Sequence, residues 1–166
     1  MTLLDAPKYD AARARRNSTI LYSGIGLFLV VLVGGWIVSG LPVDWPWHWY
    51  THFRARMTTN AFLGAIEKSD LEKAYGIWMH DPDWKSHPQT HATYPFERFE
   101  QDWSPTSAAN DYGPIKSHKI VAARLSGNVL LMGIRINGLK SNALFLNYEP
   151  KSKQLGFSPV ELYLGP

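Results

Sequence analysis

The sequence predicts an α+β protein in which one N-terminal transmembrane helix is followed by helices packed on a curved antiparallel four-stranded meander. Three observations predict this fold: a long uncharged apolar run near the N-terminus, then apolar residues at helical spacing, then a period of two from residue 115 onward. We divide the chain into a cytoplasmic tail (1–18), a transmembrane helix (19–42), an interfacial aromatic collar (43–56) and an extracytoplasmic cone-shaped domain (57–166).

The transmembrane helix is predicted from residues 20–41, which read ILYSGIGLFLVVLVGGWIVSGL and carry no charge. A helix of this length rises ~1.5 Å per residue and spans roughly 33 Å, about one hydrocarbon core. A secretory signal cleaved at Val38-Ser39-Gly40 is the alternative. We favour an uncleaved signal-anchor, because the apolar run is longer than the usual ~7–15-residue core of a signal peptide.

Basic residues in front of the span predict its orientation. Arg13, Arg15 and Arg16 precede the apolar run, whereas the first basic residues beyond it are Arg54 and Arg56. The positive-inside rule then places the N-terminus in the cytoplasm and the C-terminal domain on the periplasmic side of a cell inner membrane. Contact between the same N-terminal cluster and anionic lipid is a second explanation of its charge.

Two features of the membrane region predict contact surfaces. Gly35 and Ser39 form a small-xxx-small pair that lets another helix approach closely, so a homodimer through the span is possible, although Gly is common in transmembrane helices generally. Trp45, Trp47 and Trp49 crowd the collar that follows. We assign these rings to the lipid headgroup layer, and a protein-contact surface is the alternative, since Trp is also frequent in binding hot spots.

Composition excludes several classes of function. Outside the tail and span, basic and acidic residues nearly balance, which argues against a nucleic-acid partner. The chain has no Cys, so disulfides, thiolate metal sites and cysteine nucleophiles are excluded. Glycine-rich phosphate loops and Ser/His/Asp signatures are also missing, and we expect no cofactor.

The rest of the chain is predicted to form three helices and then four strands. The helices are placed from apolar residues at three- and four-residue spacing, over 54–68, 70–78 and 95–103. Residues 80–91 are predicted as a loop because of their Pro, Asp and Ser content. The strands cover 120–125, 130–136, 143–148 and 155–164, and they are joined by turns at Ser126-Gly127-Asn128, Asn137-Gly138 and Pro150-Lys151-Ser152.

Two stretches resemble a known superfamily. Residues 61–75, AFLGAIEKSDLEKAY, are similar to the opening helix pair of the nuclear-transport-factor-two-like (cystatin-like) superfamily, and residues 112–117, YGPIKS, resemble the loop that enters its sheet in small bacterial members. The resemblance covers residues 57–164 and implies a curved sheet wrapped around a long helix, in a membrane-anchored bacterial member. The overall layout also resembles the inner-membrane scaffold of type IV secretion systems, from which no residue role is carried over.

Enzymes of that superfamily, such as ketosteroid isomerases and dehydratases, place Asp, His and Tyr inside the cone. The resemblance makes Asp102, Tyr75, Tyr94 and His118 the nearest counterparts here. Asp102 beside Trp103 is a candidate catalytic base, since a low dielectric raises the pKa of a carboxyl group. We favour the alternative of a surface carboxylate at a helix end, because strongly perturbed carboxylates are the minority.

Two histidines, His87 and His91, are candidates for a metal site. His87 and His91 lie four residues apart, a spacing that on a helix presents two imidazoles on one face to zinc. Pro88 and the polar composition argue against a helix, and no Cys or well-spaced carboxylate completes a tetrahedral set. We therefore expect a hydrogen-bonded loop without metal.

These observations predict a single-pass accessory, assembly or scaffold subunit of a larger membrane complex. On this interpretation it acts through contacts with the lipid bilayer and with partner subunits rather than as an enzyme. The alternative is a small-molecule-binding or isomerase-like cone anchored at the membrane. A filled cone with an exposed apolar patch favours the first function, and an open pocket with buried titratable groups favours the second.

Overall fold

The computed structural model describes residues 10–139 and 143–164. Contacts between Cα atoms divide the chain into two compact units, Met1–Leu41 and Pro42–Pro166. The first half of the predicted cytoplasmic tail, residues 1–9, lies outside the described residues, as do residues 140–142 and 165–166.

The first unit is dominated by one helix, α1 (Ala11–Val38), which begins ahead of the predicted boundary at residue 19. The Asp10 carboxylate caps its start by accepting the backbone N–H groups of Ala12 and Arg13, both at 3.0 Å. The basic cluster of the predicted tail is therefore helical, because an effective N-cap precedes residues of high helix propensity.

α1 is followed by two residues with left-handed backbone, Gly40 and Leu41. Gly40 has a φ of 87°, and the N–H groups of Gly40 and Leu41 reach back to the carbonyls of Ile37 and Trp36, both at 3.0 Å. This pattern satisfies carbonyls that the last helical turn leaves unpaired.

No residue of the 28-residue α1 is buried. Among the described residues it is the one helix that is long and apolar enough, by length and composition, to cross a membrane. Water is an unfavourable solvent for a helix that is apolar on all sides and has no buried residue.

The second unit begins with α2 (Pro46–Glu67), one continuous helix. The helix predicted over 54–68 therefore begins earlier than expected, at Pro46. Pro46 occupies the first helical position, where proline is favoured because no hydrogen bond to its nitrogen is needed. Residues 46–56 of the collar are therefore about the first three turns of α2.

Two shorter helices follow and match the predicted ones closely. α3 (Leu71–Met79) is capped by the Asp70 carboxylate, which accepts the Lys73 N–H at 3.2 Å. It ends at His80, whose φ of 54° is left-handed. Two single turns of 3₁₀-helix, Trp84–Ser86 and Pro88–His91, occupy part of the predicted loop, and α4 (Phe96–Trp103) follows Pro95.

The strands form one open antiparallel sheet in which each strand pairs with the next along the chain. The strands are β1 (His118–Ser126), β2 (Val129–Ile136), β3 (Ala143–Tyr148) and β4 (Leu155–Phe157). The prediction of an α+β fold is confirmed. The register between β1 and β2 shifts by one residue between Ile120 and Ala122, which is a β-bulge.

The predicted turn at Asn137-Gly138 has the expected backbone. Both residues have positive φ, 53° and 71°, and the Leu139 N–H closes the turn on the Ile136 carbonyl at 3.0 Å. The Asn137 side chain also accepts the Lys116 N–H at 2.7 Å, which ties the segment before β1 to the end of β2.

The predicted last strand, 155–164, is wrong beyond residue 157. The Ser158 N–H makes the last hydrogen bond to β3, at the Phe145 carbonyl, and Pro159 then supplies no donor for the ladder. The following segment crosses the outer face of the sheet, where Arg135 donates to the Leu164 carbonyl at 3.1 Å. A Cβ added at Gly133 would meet the end of the Leu164 side chain, which would have to move.

The space between helices and sheet is filled by side chains of the domain itself. The inner face of the sheet contributes buried aliphatic residues, including Leu130, Met132, Ile134 and Leu146. The helices contribute a cluster of rings around Phe62, and the buried core also includes Ile66, Tyr75, Trp78, Phe99 and Trp103.

Candidate functional site

The start of α2 is fixed by Asp44. Its carboxylate lies 2.6 Å from Nε2 of His52, which is buried. Its backbone carbonyl accepts the indole N–H of Trp49 at 2.9 Å. Of the three predicted collar tryptophans, Trp49 is therefore partly buried and held by a hydrogen bond to the backbone of its own segment.

Trp45 and Trp47 face the solvent instead. Their rings stack with centroids 5.0 Å apart and planes 4° from parallel, and both side chains are 67% exposed. Tyr50, one turn further along, is 70% exposed. The collar thus presents an exposed aromatic surface, and only two of its three predicted tryptophans contribute to it.

The predicted membrane residues of α1 are arranged as follows. The side chains of Arg13, Arg15 and Arg16 are exposed in the first two turns. The hydroxyl of Ser39 donates to the carbonyl of Gly35 at 2.7 Å, so it is satisfied within its own unit. Of the two residues of the predicted pair, Gly35 is exposed and Ser39 is 4% exposed.

Asp102 is held by two donors. The Tyr94 hydroxyl donates to one carboxylate oxygen at 2.9 Å, and Arg98 lies 3.3 Å from the other. The Asp102 side chain is 16% exposed, at the C-terminal end of α4 beside the buried Trp103. Burial, together with the Asp102 carboxylate, raises the pKa of Tyr94 far above its ordinary value.

The other two residues implied by the superfamily resemblance have different surroundings. The Tyr75 hydroxyl donates to the Tyr94 carbonyl at 2.8 Å, which brings Tyr75, Tyr94 and Asp102 into one network. His118 lies instead between Glu67 at 2.6 Å and Asn60 at 3.1 Å. Both ring nitrogens of His118 are therefore engaged in a link between α2 and β1.

The two predicted metal candidates converge on a carboxylate. His91 Nε2 lies 2.9 Å from Oδ2 of Asp81, and His87 Nδ1 lies 4.0 Å from the same oxygen. The hydrogen bond from His91 lowers the pKa of Asp81. Within residues 10–139 and 143–164, no group of three or more His, Asp or Glu side chains is arranged to hold a metal ion.

An external groove of about 790 Å³ was not predicted from the sequence. It lies between α2, α3 and the first 3₁₀ turn, and its apolar lining includes Met57, Ala61, Ile77 and Trp84. Its charged lining carries both signs, with three carboxylates and three Lys or Arg side chains. Gly76 shapes one wall, because a Cβ there would lie 3.1 Å from the Asp81 carbonyl.

The interior of the fold and the external groove differ in what they offer a ligand. The interior is occupied by the rings around Phe62, whereas the groove is open and carries polar groups at its edge. The counterparts implied by the resemblance do not line this groove. No protein-family model, no curated protein and no solved structure matches this chain.

Proposed function

We propose that this chain is a single-pass, membrane-anchored accessory, assembly or scaffold subunit of a larger membrane complex, and that it works through contacts. The observation that carries the proposal is α1, a 28-residue helix that has no charged residue after Arg16 and no buried residue. The second unit has a complete core of its own. A helix of this kind requires lipid or another helix as its surroundings.

The proposed orientation has the N-terminus in the cytoplasm and the second unit outside it, at a bacterial inner membrane. It is supported by Arg13, Arg15 and Arg16, which are exposed at the N-terminal end of α1. We further propose that the second unit is a cone of the nuclear-transport-factor-two-like superfamily. Residues 61–75, on which that resemblance rests, form the end of α2, a tight turn and α3.

On this proposal, α1 contacts its partner by packing against a second transmembrane helix. Gly35 is exposed, so its lack of a side chain would let the backbone of a second transmembrane helix approach, either from another copy or from a partner subunit, whereas Ser39 is buried. Gly26 and Gly34 are also open, with no atom within 4 Å of the position of an added Cβ. Leu at position 35 would occupy the space through which a second backbone approaches, so Gly35→Leu is expected to weaken the association.

The experiment compares three variants of the full chain. Each variant is purified in mild detergent, and the proteins that co-purify with it are quantified by mass spectrometry. Gly35→Leu should lower recovery of stoichiometric partners or of a second copy. Val33→Leu adds apolar bulk on the opposite face of α1 and should not. Asp102→Asn should leave recovery unchanged, because Asp102 serves here as an acceptor for Tyr94 and Arg98.

A second candidate function is a small-molecule-binding or enzymatic domain anchored at the membrane. The groove beside α2 favours it, because about 790 Å³ is the size of ordinary ligand sites. That function predicts that Lys73→Gln, in the lining of the groove, lowers biological activity while association survives. Asp102 does not line the groove, so Asp102→Asn should leave that activity unchanged.

A further inference from the structure

The outward face of α2 is unusual for a helix of a folded domain. Its inner face packs on the core, and a helix in that position normally presents polar residues on the opposite side. Here Trp47, Tyr50 and Met57 lie along the outer side and are 67%, 70% and 52% exposed. Between these apolar side chains the charged residue on this face is Arg54, which lines the adjoining groove.

Ahead of its last residue, Glu67, α2 carries charges of one sign. From Pro46 to residue 66 the helix contains no Asp or Glu, and its charged residues are Arg54 and Arg56. Neither arginine forms an ion pair with a carboxylate of the described residues. The Nε atom of Arg56 is buried without a hydrogen-bond partner in the described part of the chain.

The nearest acidic residues at the two ends of α2 are already engaged. Asp44 pairs with His52 at 2.6 Å, and Glu67 pairs with His118 at 2.6 Å. Asp70, Glu72 and Asp83 line the same groove as Arg54, but none of these carboxylates forms an ion pair with Arg54 in the described part of the chain. An external anion that accepts hydrogen bonds from a guanidinium group complements Arg54.

We propose that the outward face of α2, from Trp47 to Met57, binds an anionic phospholipid surface. Lipid phosphates accept hydrogen bonds from Arg54, while the Trp47 and Tyr50 rings occupy the headgroup layer. Single-sign charge together with exposed aromatic and aliphatic side chains is typical of helices that lie at a membrane interface. The inference rests on the proposed membrane anchoring, because α1 ends at Val38 and α2 begins at Pro46.

The test uses site-directed spin labels on the full chain, which has no native Cys to compete for the label. Labels are placed at Met57→Cys on the outward face of α2, at Val30→Cys within α1, and at Ala108→Cys in an exposed loop. The protein is reconstituted into vesicles of zwitterionic phosphatidylcholine, with or without phosphatidylglycerol. Accessibility to lipid-soluble oxygen is compared with accessibility to a water-soluble nickel complex.

We expect the label at residue 57 to favour oxygen in anionic vesicles and to shift toward the nickel complex in neutral vesicles. Arg54→Gln should shift the equilibrium between lipid-contacting and water-exposed forms about fivefold toward water, the factor that corresponds to one basic residue at an anionic surface. Lys151→Gln removes a positive charge from an exposed turn and should change nothing. Circular dichroism confirms that each variant keeps its helix content.

The outcomes separate this inference from the proposed function. If Val30 is in lipid but Met57 is as water-exposed as Ala108 in both vesicles, the lipid contact of α2 is wrong and the anchor stands. If Val30 is also exposed to water, the membrane anchoring itself fails. If Met57 is shielded from both reagents, or if dipolar broadening shows two labels close together, a protein covers this face and the lipid assignment is overturned.

Discussion

Replacement of Phe62 by Ala is expected to be among the most destabilising single changes in the second unit. Phe62 is fully buried on α2. Its ring centroid lies 5.0 Å from that of Trp78 and 4.9 Å from that of Trp103, with Phe99 at 6.2 Å. The side chain therefore joins three helices, because these partners belong to α3 and α4.

The magnitude follows from burial and from the rigidity of the neighbours. A buried aromatic ring hides at least ~150 Å² of apolar surface, worth ~4 kcal/mol at ~25 cal/mol per Å². Phe→Ala substitutions in cores cost ~3–5 kcal/mol. Rigid rings surround Phe62 on several sides and cannot collapse readily into the cavity, so we expect the upper half of that range.

The assay is urea unfolding of the full chain in a fixed concentration of mild detergent, followed by near-ultraviolet circular dichroism. The matched control is Met57→Ala on the same helix, whose side chain is 52% exposed. The control should change the free energy of unfolding by no more than ~0.5 kcal/mol. A cost below ~1 kcal/mol for Phe62→Ala, or one equal to that of the control, would show that the ring does not anchor the core.

Two further predictions concern topology and pH. Alkaline phosphatase fused at the C-terminus should be active, and green fluorescent protein fused at the same place should not fluoresce. A fluorescent C-terminal fusion would contradict the proposed orientation. Because the hydrogen bond from His91 lowers the pKa of Asp81 below 3.8, its stabilising effect is present above that pH and is lost as the pH falls through the native pKa. Between pH 6 and pH 2 the melting temperature of the natural chain should therefore fall more steeply than that of Asp81→Asn. Identical slopes of melting temperature against pH would argue against the pairing of Asp81 with His91.

Local features of the sequence predicted most of the secondary structure. The apolar run gave α1, apolar spacing gave α3 and α4 within a residue or two, and turn residues located the first three strands. These predictions succeed because capping, hydrophobic periodicity and positive-φ turns depend on residues close together in the chain. The error at Pro46 has the same local origin, since a proline that starts a helix and one that interrupts it look alike in the sequence.

Contacts between distant residues were decided by the tertiary structure alone. His118 meets Glu67 across 51 positions and Arg135 meets Leu164 across 29, and neither pair has a spacing that marks it in advance. The groove beside α2 and the hydrogen bonds that hold Asp102 likewise depend on how helices and loops pack. The sequence by itself determined which segments are apolar and which of them form helices or strands. The tertiary structure decided which polar groups are satisfied and which apolar faces are left without a partner, because both depend on packing between elements far apart in the chain.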